Sequence, residues 1–218
     1  MASKKLKSKP KAVFAHYLVG TVTAEHANQD IDEAMAMGLD GFALNIGDPS
    51  AHFLAVSLDN LFGYAEYRGF KLFISLDVYA SGNSCFDGHA GACGGPVAYE
   101  AILKGRLGSP SWYLGPNGNP LISTYSSGGE QNDVWKNWKY TDFGNSLYFI
   151  PDFDETLGYY TANPGWYEYW GHMIEGIYSF SPMCIISSPA EEHLSFRGIP
   201  AFSELFVFIM LISTNTLI

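Results

Sequence analysis

The chain has 218 residues, 47% of them hydrophobic and 16% aromatic, with a formal net charge of −10. That is enough apolar material for one sizeable core, and the acidic balance excludes a nucleic-acid groove, which needs clustered lysine and arginine. The one basic cluster, Lys4, Lys5, Lys7, Lys9 and Lys11, reads as a solvated tail over residues 1–11.

From residue 12 onward, short apolar runs alternate with amphipathic segments. Residues 12–19 form a first strand carrying His16. Residues 28–38 follow as a helix, with acidic residues early and glycine at the end. A second strand spans 41–47 and carries Asn45. The helix after it spans 54–68, where Leu54, Leu58, Leu61, Phe62 and Ala65 share one face. Gly69 stops that helix and the strand 71–78 begins, with Asp77 near its end. The order βαβαβ implies a parallel sheet.

Residues 79–95, rich in Gly, Ser, Asn and Cys, read as a long loop over the strand ends. A helix is expected at 97–107, a fourth strand at 120–125, a short helix at 132–138 and a fifth strand at 146–153. The latter ends in the acidic group Asp152, Asp154 and Glu155, of which Asp152 is the one expected to face a pocket. A helix at 164–173 and a sixth strand at 174–181 complete the series. Successive strands that each deliver a polar group at the same end point to a TIM-type (β/α) barrel, whose active sites lie on the face where the strands end. The count reaches about six of the eight βα units of a full barrel, which usually needs roughly 250 residues. The barrel is therefore expected to be incomplete over 12–182.

Residues 183–218 depart from this pattern, with an apolar run at 205–212. That run is too short for a bilayer, which takes about 20 residues, so no membrane partner is expected. Either a helix packed on the barrel or a gene-model artefact such as translated intron accounts for it. No signal peptide is visible, because His16, Tyr17 and Gly20 interrupt the first apolar stretch.

Cys85, Cys93 and Cys184 have neither zinc spacing nor a Cys-x-x-Cys motif. Cys85 and Cys93 flank a Gly-rich loop and can close a small disulfide in an oxidising compartment. The Gly-rich residues 88–95 lack the lysine and Ser/Thr of a phosphate loop. Neither metal nor organic cofactor is implied.

Several blocks, in their order and spacing, resemble the fungal α-1,3-glucanases, or mutanases, of glycoside hydrolase family 71. The most specific are Val13-Phe14-Ala15-His16-Tyr17-Leu18-Val19-Gly20, Leu39-Asp40-Gly41-Phe42-Ala43-Leu44-Asn45-Ile46-Gly47 and Phe70-Lys71-Leu72-Phe73-Ile74-Ser75-Leu76-Asp77. Further blocks are Gly118-Asn119-Pro120-Leu121-Ile122-Ser123-Thr124-Tyr125, Tyr148-Phe149-Ile150-Pro151-Asp152, Gly165-Trp166 and Glu175-Gly176-Ile177-Tyr178-Ser179-Phe180.

The resemblance implies a barrel enzyme of the cell wall or extracellular space that cleaves the polysaccharide α-1,3-glucan with inversion. Inversion uses two carboxyl groups about 6.5 to 9.5 Å apart, one protonating the leaving oxygen and one activating water. The family's important Asp after the third strand maps onto Asp77. Its acid/base pair lies in a Trp-Asn-Asp-Tyr-Gly-Glu block that these 218 residues do not contain, and Glu175 and Phe180 stand where the sixth-strand motif usually has Asp and Trp.

Asp77 is thus the expected catalytic residue, and His16, Asn45, Asp152, Trp166 and Glu175 are expected to bind substrate. Each has a plainer reading: Asp77 as a cap, His16 as a core histidine, a tryptophan as packing. Trp112, Trp135, Trp138 and Trp170 share the packing reading, and Trp166 is set apart by its motif. Two rival functions stand beside the glycosidase. One is a noncatalytic glucan-binding or vestigial protein. The other is an aldolase-like barrel, disfavoured because Lys71 begins its strand instead of ending it.

Overall fold

The computed structural model of the chain describes residues 12–152, 170 and 173–176, and the backbone of 209–212. Its regular elements are β1 (Ala12–Leu18), α1 (Ala24–Ala36), β2 (Gly41–Ile46), α2 (Leu54–Arg68), β3 (Lys71–Asp77), α3 (Val78–Phe86), α4 (Glu100–Lys104), β4 (Leu121–Ser126), α5 (Asn132–Asn137), β5 (Tyr148–Ile150) and β6 (Ile209–Ile212). They build one sheet in the order β5-β4-β3-β2-β1-β6. The five strands β1 to β5 are parallel, and β6 is antiparallel to β1.

Local chemistry explains the first units. Thr23 caps α1 by accepting from the His26 amide at 3.2 Å, which satisfies one of the donors a helix start leaves open. Ala27, Ile31 and Ala34, three and four residues apart, form its buried stripe. The expected face of α2 is likewise buried, and Gly69 ends that helix at φ 71, a left-handed conformation that glycine adopts without steric cost.

Strand residues alternate between an outer layer under the helices and an inner face. Outward, the Tyr17 hydroxyl donates to Asp30 of α1 at 2.7 Å, Tyr17 stacks on Phe42, and Phe149 packs on Trp135 and Trp138. Inward, Phe14 of β1 meets Phe73 of β3 edge-on at 5.0 Å. Between them lies Gly41 of β2, where a Cβ would run into the Phe14 ring and the Lys71 carbonyl. A glycine there lets two large rings from alternate strands fill one layer. The sheet is strongly curled. Rings of His16 on β1 and Tyr125 on β4 lie 4.8 Å apart although β2 and β3 run between them, a span of about 14 Å in a flat sheet.

Three expectations need correction. Residues 79–95 are not one loop, because α3 starts directly after Asp77. The low helix propensity of its Gly, Ser and Asn is overcome by the Asp77 cap and by burial of Val78 and Ser81. Two short 3-10 turns follow, at Ala90–Ala92 and Gly95–Tyr99. A helix at 205–212 fails for 209–212, which pair as a strand with β1. Residues 173–176 form a turn and bend where a sixth strand was to start, although the Glu175 amide still donates to the Phe149 carbonyl at 3.0 Å, on the side of β5 away from β4. The rest of that strand, and most of the helix at 164–173, lie outside the described residues. Among the described residues no helix is long and apolar enough to cross a membrane.

Candidate functional site

The inner face changes character along the strands. At its N-terminal end Phe14, Phe73 and Tyr113 pack together. Toward the C-terminal ends the same alternation presents His16, Asn45, Ser75, Asp77, Ser123 and Tyr125, and continues past β5 to Asp152. The register brings these to neighbouring positions: Asn45 pairs with Ser75, Ser75 with Ser123, and Asp77 with Ser126 across a bulge in β4. His16, Asn45, Asp77 and Asp152 thus stand at one end of the parallel strands, on one face.

Asp77 is 9% exposed. It does cap α3, with Oδ1 accepting from the Ala80 amide at 3.0 Å, so the plainer reading holds alongside the strand-end position. A cap of this kind fixes the carboxylate's orientation. Its backbone is fixed as well. The fully buried Tyr99 places its hydroxyl 2.8 Å from the Asp77 carbonyl and 2.9 Å from that of Ile46. Tyr99 therefore ties the ends of β2 and β3 together, and burial pushes its phenol well above the usual range. No sequence motif marked Tyr99, which lies 22 residues beyond Asp77.

Asp152 is held from the backbone. Thr124 Oγ1 accepts from its amide at 2.8 Å and donates to its carbonyl at 2.9 Å, which carries the β4–β5 pairing past Ile150. His16 is 5% exposed, and burial lowers its pKa to about 4. It therefore works as a neutral imidazole near neutral pH.

Glu175 sits elsewhere. Its Oε2 accepts from the Phe149 amide and its Oε1 from Lys139 Nζ, both at 2.7 Å. Lys139, 1% exposed, also donates to the Met173 carbonyl at 2.7 Å. A carboxylate so engaged braces β5 beside Phe149. Trp112, Trp135, Trp138 and Trp170 are all buried in packing. Trp166, Asp154 and Glu155 lie outside the described residues. Lys71, at the N-terminal end of β3, donates to the Pro110 carbonyl at 2.8 Å.

Sequence reasoning also passed over Asp48 and His89. Asp48 follows β2, where its Oδ1 accepts from the Ser50 amide and hydroxyl, and its Oδ2 lies 2.5 Å from His89 Nδ1. Burial works to raise the Asp48 carboxyl, but the hydrogen bonds from Ser50 and His89 outweigh it and hold it below its ordinary value. The Cys85–Cys93 disulfide closes the loop that carries His89.

Residues 9–182 match the family described as Glycosyl hydrolase family 71. Over 71 residues the chain is 37% identical to the glucan endo-1,3-alpha-glucosidase agn1 of Schizosaccharomyces pombe, a match covering 31% of this chain and 17% of that protein. The curled parallel sheet, the polar groups at its strand ends and a match across most of the sequence agree: the chain belongs to glycosyl hydrolase family 71.

Proposed function

We propose that the chain carries the substrate-binding face of an α-1,3-glucan hydrolase, built as a (β/α) barrel, with Asp77 as its catalytic carboxylate. The observation behind this is the position of Asp77 at the end of β3 on the inner face, its side chain oriented by the Ala80 amide and its backbone by Tyr99. In this reading His16, Asn45 and Asp152 meet sugar hydroxyls, and Trp166 offers a pyranose stacking surface. Glu175, committed to Phe149 and Lys139, supports the β5 edge. An insoluble glucan must be met outside the cell, and the Cys85–Cys93 disulfide suits that compartment.

Inversion places one carboxyl group on each side of the anomeric carbon, the acid near the leaving oxygen and the base beside a water. Asp77 occupies one position only. These 218 residues contain no Trp-Asn-Asp-Tyr-Gly-Glu block to supply the pair. The expected result is little or no reducing sugar released from α-1,3-glucan by this chain, and turnover by a version extended with that block. Asp77→Asn in the extended version should lower the rate by about 10²–10⁴-fold. Robust turnover by the 218-residue chain would shift the second role to Asp152. A second reading, a noncatalytic glucan-binding protein, draws on Glu175, whose carboxylate is engaged by Lys139 and the Phe149 amide. Retention on insoluble α-1,3-glucan without reducing-end release, even from the extended version, would select it.

A further inference from the structure

We propose that Asn45, Ser75 and Ser123 form an internal seat for one small neutral O–H group, one step along the strands below Asp77. The three stand side by side on β2, β3 and β4 in direct register. Their exposures are 3%, 0% and 0%, and Asn45 Oδ1, Ser75 Oγ and Ser123 Oγ make no hydrogen bond within the protein. One such atom is an ordinary imperfection. Three adjacent ones at a single level are a built feature, because each buried polar group without a partner opposes folding.

The surroundings define the occupant. At the same level the row is bordered by Leu18 on β1 and Ile150 on β5, and one step below lie Ala43 and Phe73. The row is thus polar across three strands with apolar neighbours at its own level, while the His16 and Tyr125 rings meet across the same face. Asn45 Oδ1 can only accept, whereas each serine hydroxyl both donates and accepts. No carboxylate in the row balances a cation, and no basic group balances an anion. A water that donates to Asn45 and one serine and accepts from the other satisfies all three, and three partners is the usual number for a buried water; a sugar hydroxyl, with its single proton, satisfies them by donating to Asn45 and accepting from both serines. The O–H group is either water or a sugar hydroxyl entering from the side of Asp77. The seat is independent of the glucan reading when water fills it, and rests on that reading when sugar does.

Thermal unfolding of the chain, Ser75→Ala, Ser123→Ala and the double variant, with and without an α-1,3-linked glucose oligosaccharide, tests the seat. With water bound, each single variant should lower Tm by about 2–4 °C. The double variant should then lose less than the sum, because the shared partner is lost once. With a sugar hydroxyl bound, the unliganded Tm should hold while the oligosaccharide-induced rise shrinks. A chain that shows no response to oligosaccharide counts against the glucan reading and leaves the water arm to decide the seat. Tm values unchanged or raised in both variants, with no loss of ligand response, overturn it, as do strictly additive losses of Tm with an unchanged ligand response.

Discussion

The two ends of the inner face come from the same strands, yet they follow opposite rules. At the N-terminal end Phe14, Phe73 and Tyr113 interlock, and Gly41 makes room for them. At the C-terminal end, two to four residues further along, buried serine and asparagine atoms lack partners and the Asp77 carboxylate is oriented by a backbone amide. The first arrangement maximises close packing; the second holds polar groups ready at a cost in stability. In (β/α) barrels the bottom of the sheet serves stability and the top serves chemistry, and the proposed barrel reading assigns the two ends of this sheet in the same way.

The largest effect should come from the packed end. Phe73 has no exposed surface and touches Phe14 in the layer left open by Gly41. Phe73→Ala should remove about 3–5 kcal/mol of stability through lost burial and the cavity left behind, read from urea unfolding midpoints. A loss near 1 kcal/mol would mean that the layer collapses around the gap and that the two ends differ less than their packing suggests.

How far the sequence revealed this division depends on the signal each residue leaves. The apolar periods of β1, β2, β3 and α2 are local and strong, so the parallel βαβαβ start was legible. His16, Asn45, Asp77 and Asp152 were legible too, as lone polar residues at the ends of apolar runs, and the structure sets them on one face. α3 was not, since Gly82, Asn83 and Ser84 carry loop chemistry and the helix depends on its cap and on tertiary burial. The partners of Glu175 were hidden for another reason. Lys139 lies 36 positions away and reads in sequence as an ordinary surface lysine, yet it is buried against the carboxylate. Ser75 and Ser123 left no signal, because a serine in a strand is unremarkable until the register sets it beside another.

His16 stands on the boundary between the two ends, and its titration sharpens the comparison. Burial lowers its folded pKa to about 4, against about 6.5 in an unfolded chain. Between those values the unfolded state binds the extra proton. The His16 contribution is therefore complete above about pH 6.5, declines as pH falls, and is gone below about pH 4. The loss across that window is on the order of 3 kcal/mol. Unfolding free energies at pH 7 and pH 4 should differ by correspondingly less in His16→Gln. An equal pH dependence in both proteins would place the titration elsewhere.

The smallest effect belongs to Tyr99, which serves the polar end without facing it. Its hydroxyl carries one proton and lies within 2.9 Å of two strand-end carbonyls, those of Ile46 and Asp77. Tyr99→Phe keeps the ring and removes that proton, leaving both buried acceptors weaker, so stability should fall by about 1–2 kcal/mol. The pH dependence identifies the cause. Because burial raises the folded pKa of Tyr99, its stabilising contribution is full below about pH 10, the unfolded value. Above that pH the unfolded phenol loses its proton while the folded one keeps it, and stability declines. Tyr99→Phe should flatten that alkaline decline relative to the parent chain. Amide exchange at residues 46–47 and 77–80 should quicken in the variant, with exchange around Phe14 and Phe73 unchanged. Faster exchange at both ends alike would mean that Tyr99 supports the sheet as a whole instead of the carboxylate end.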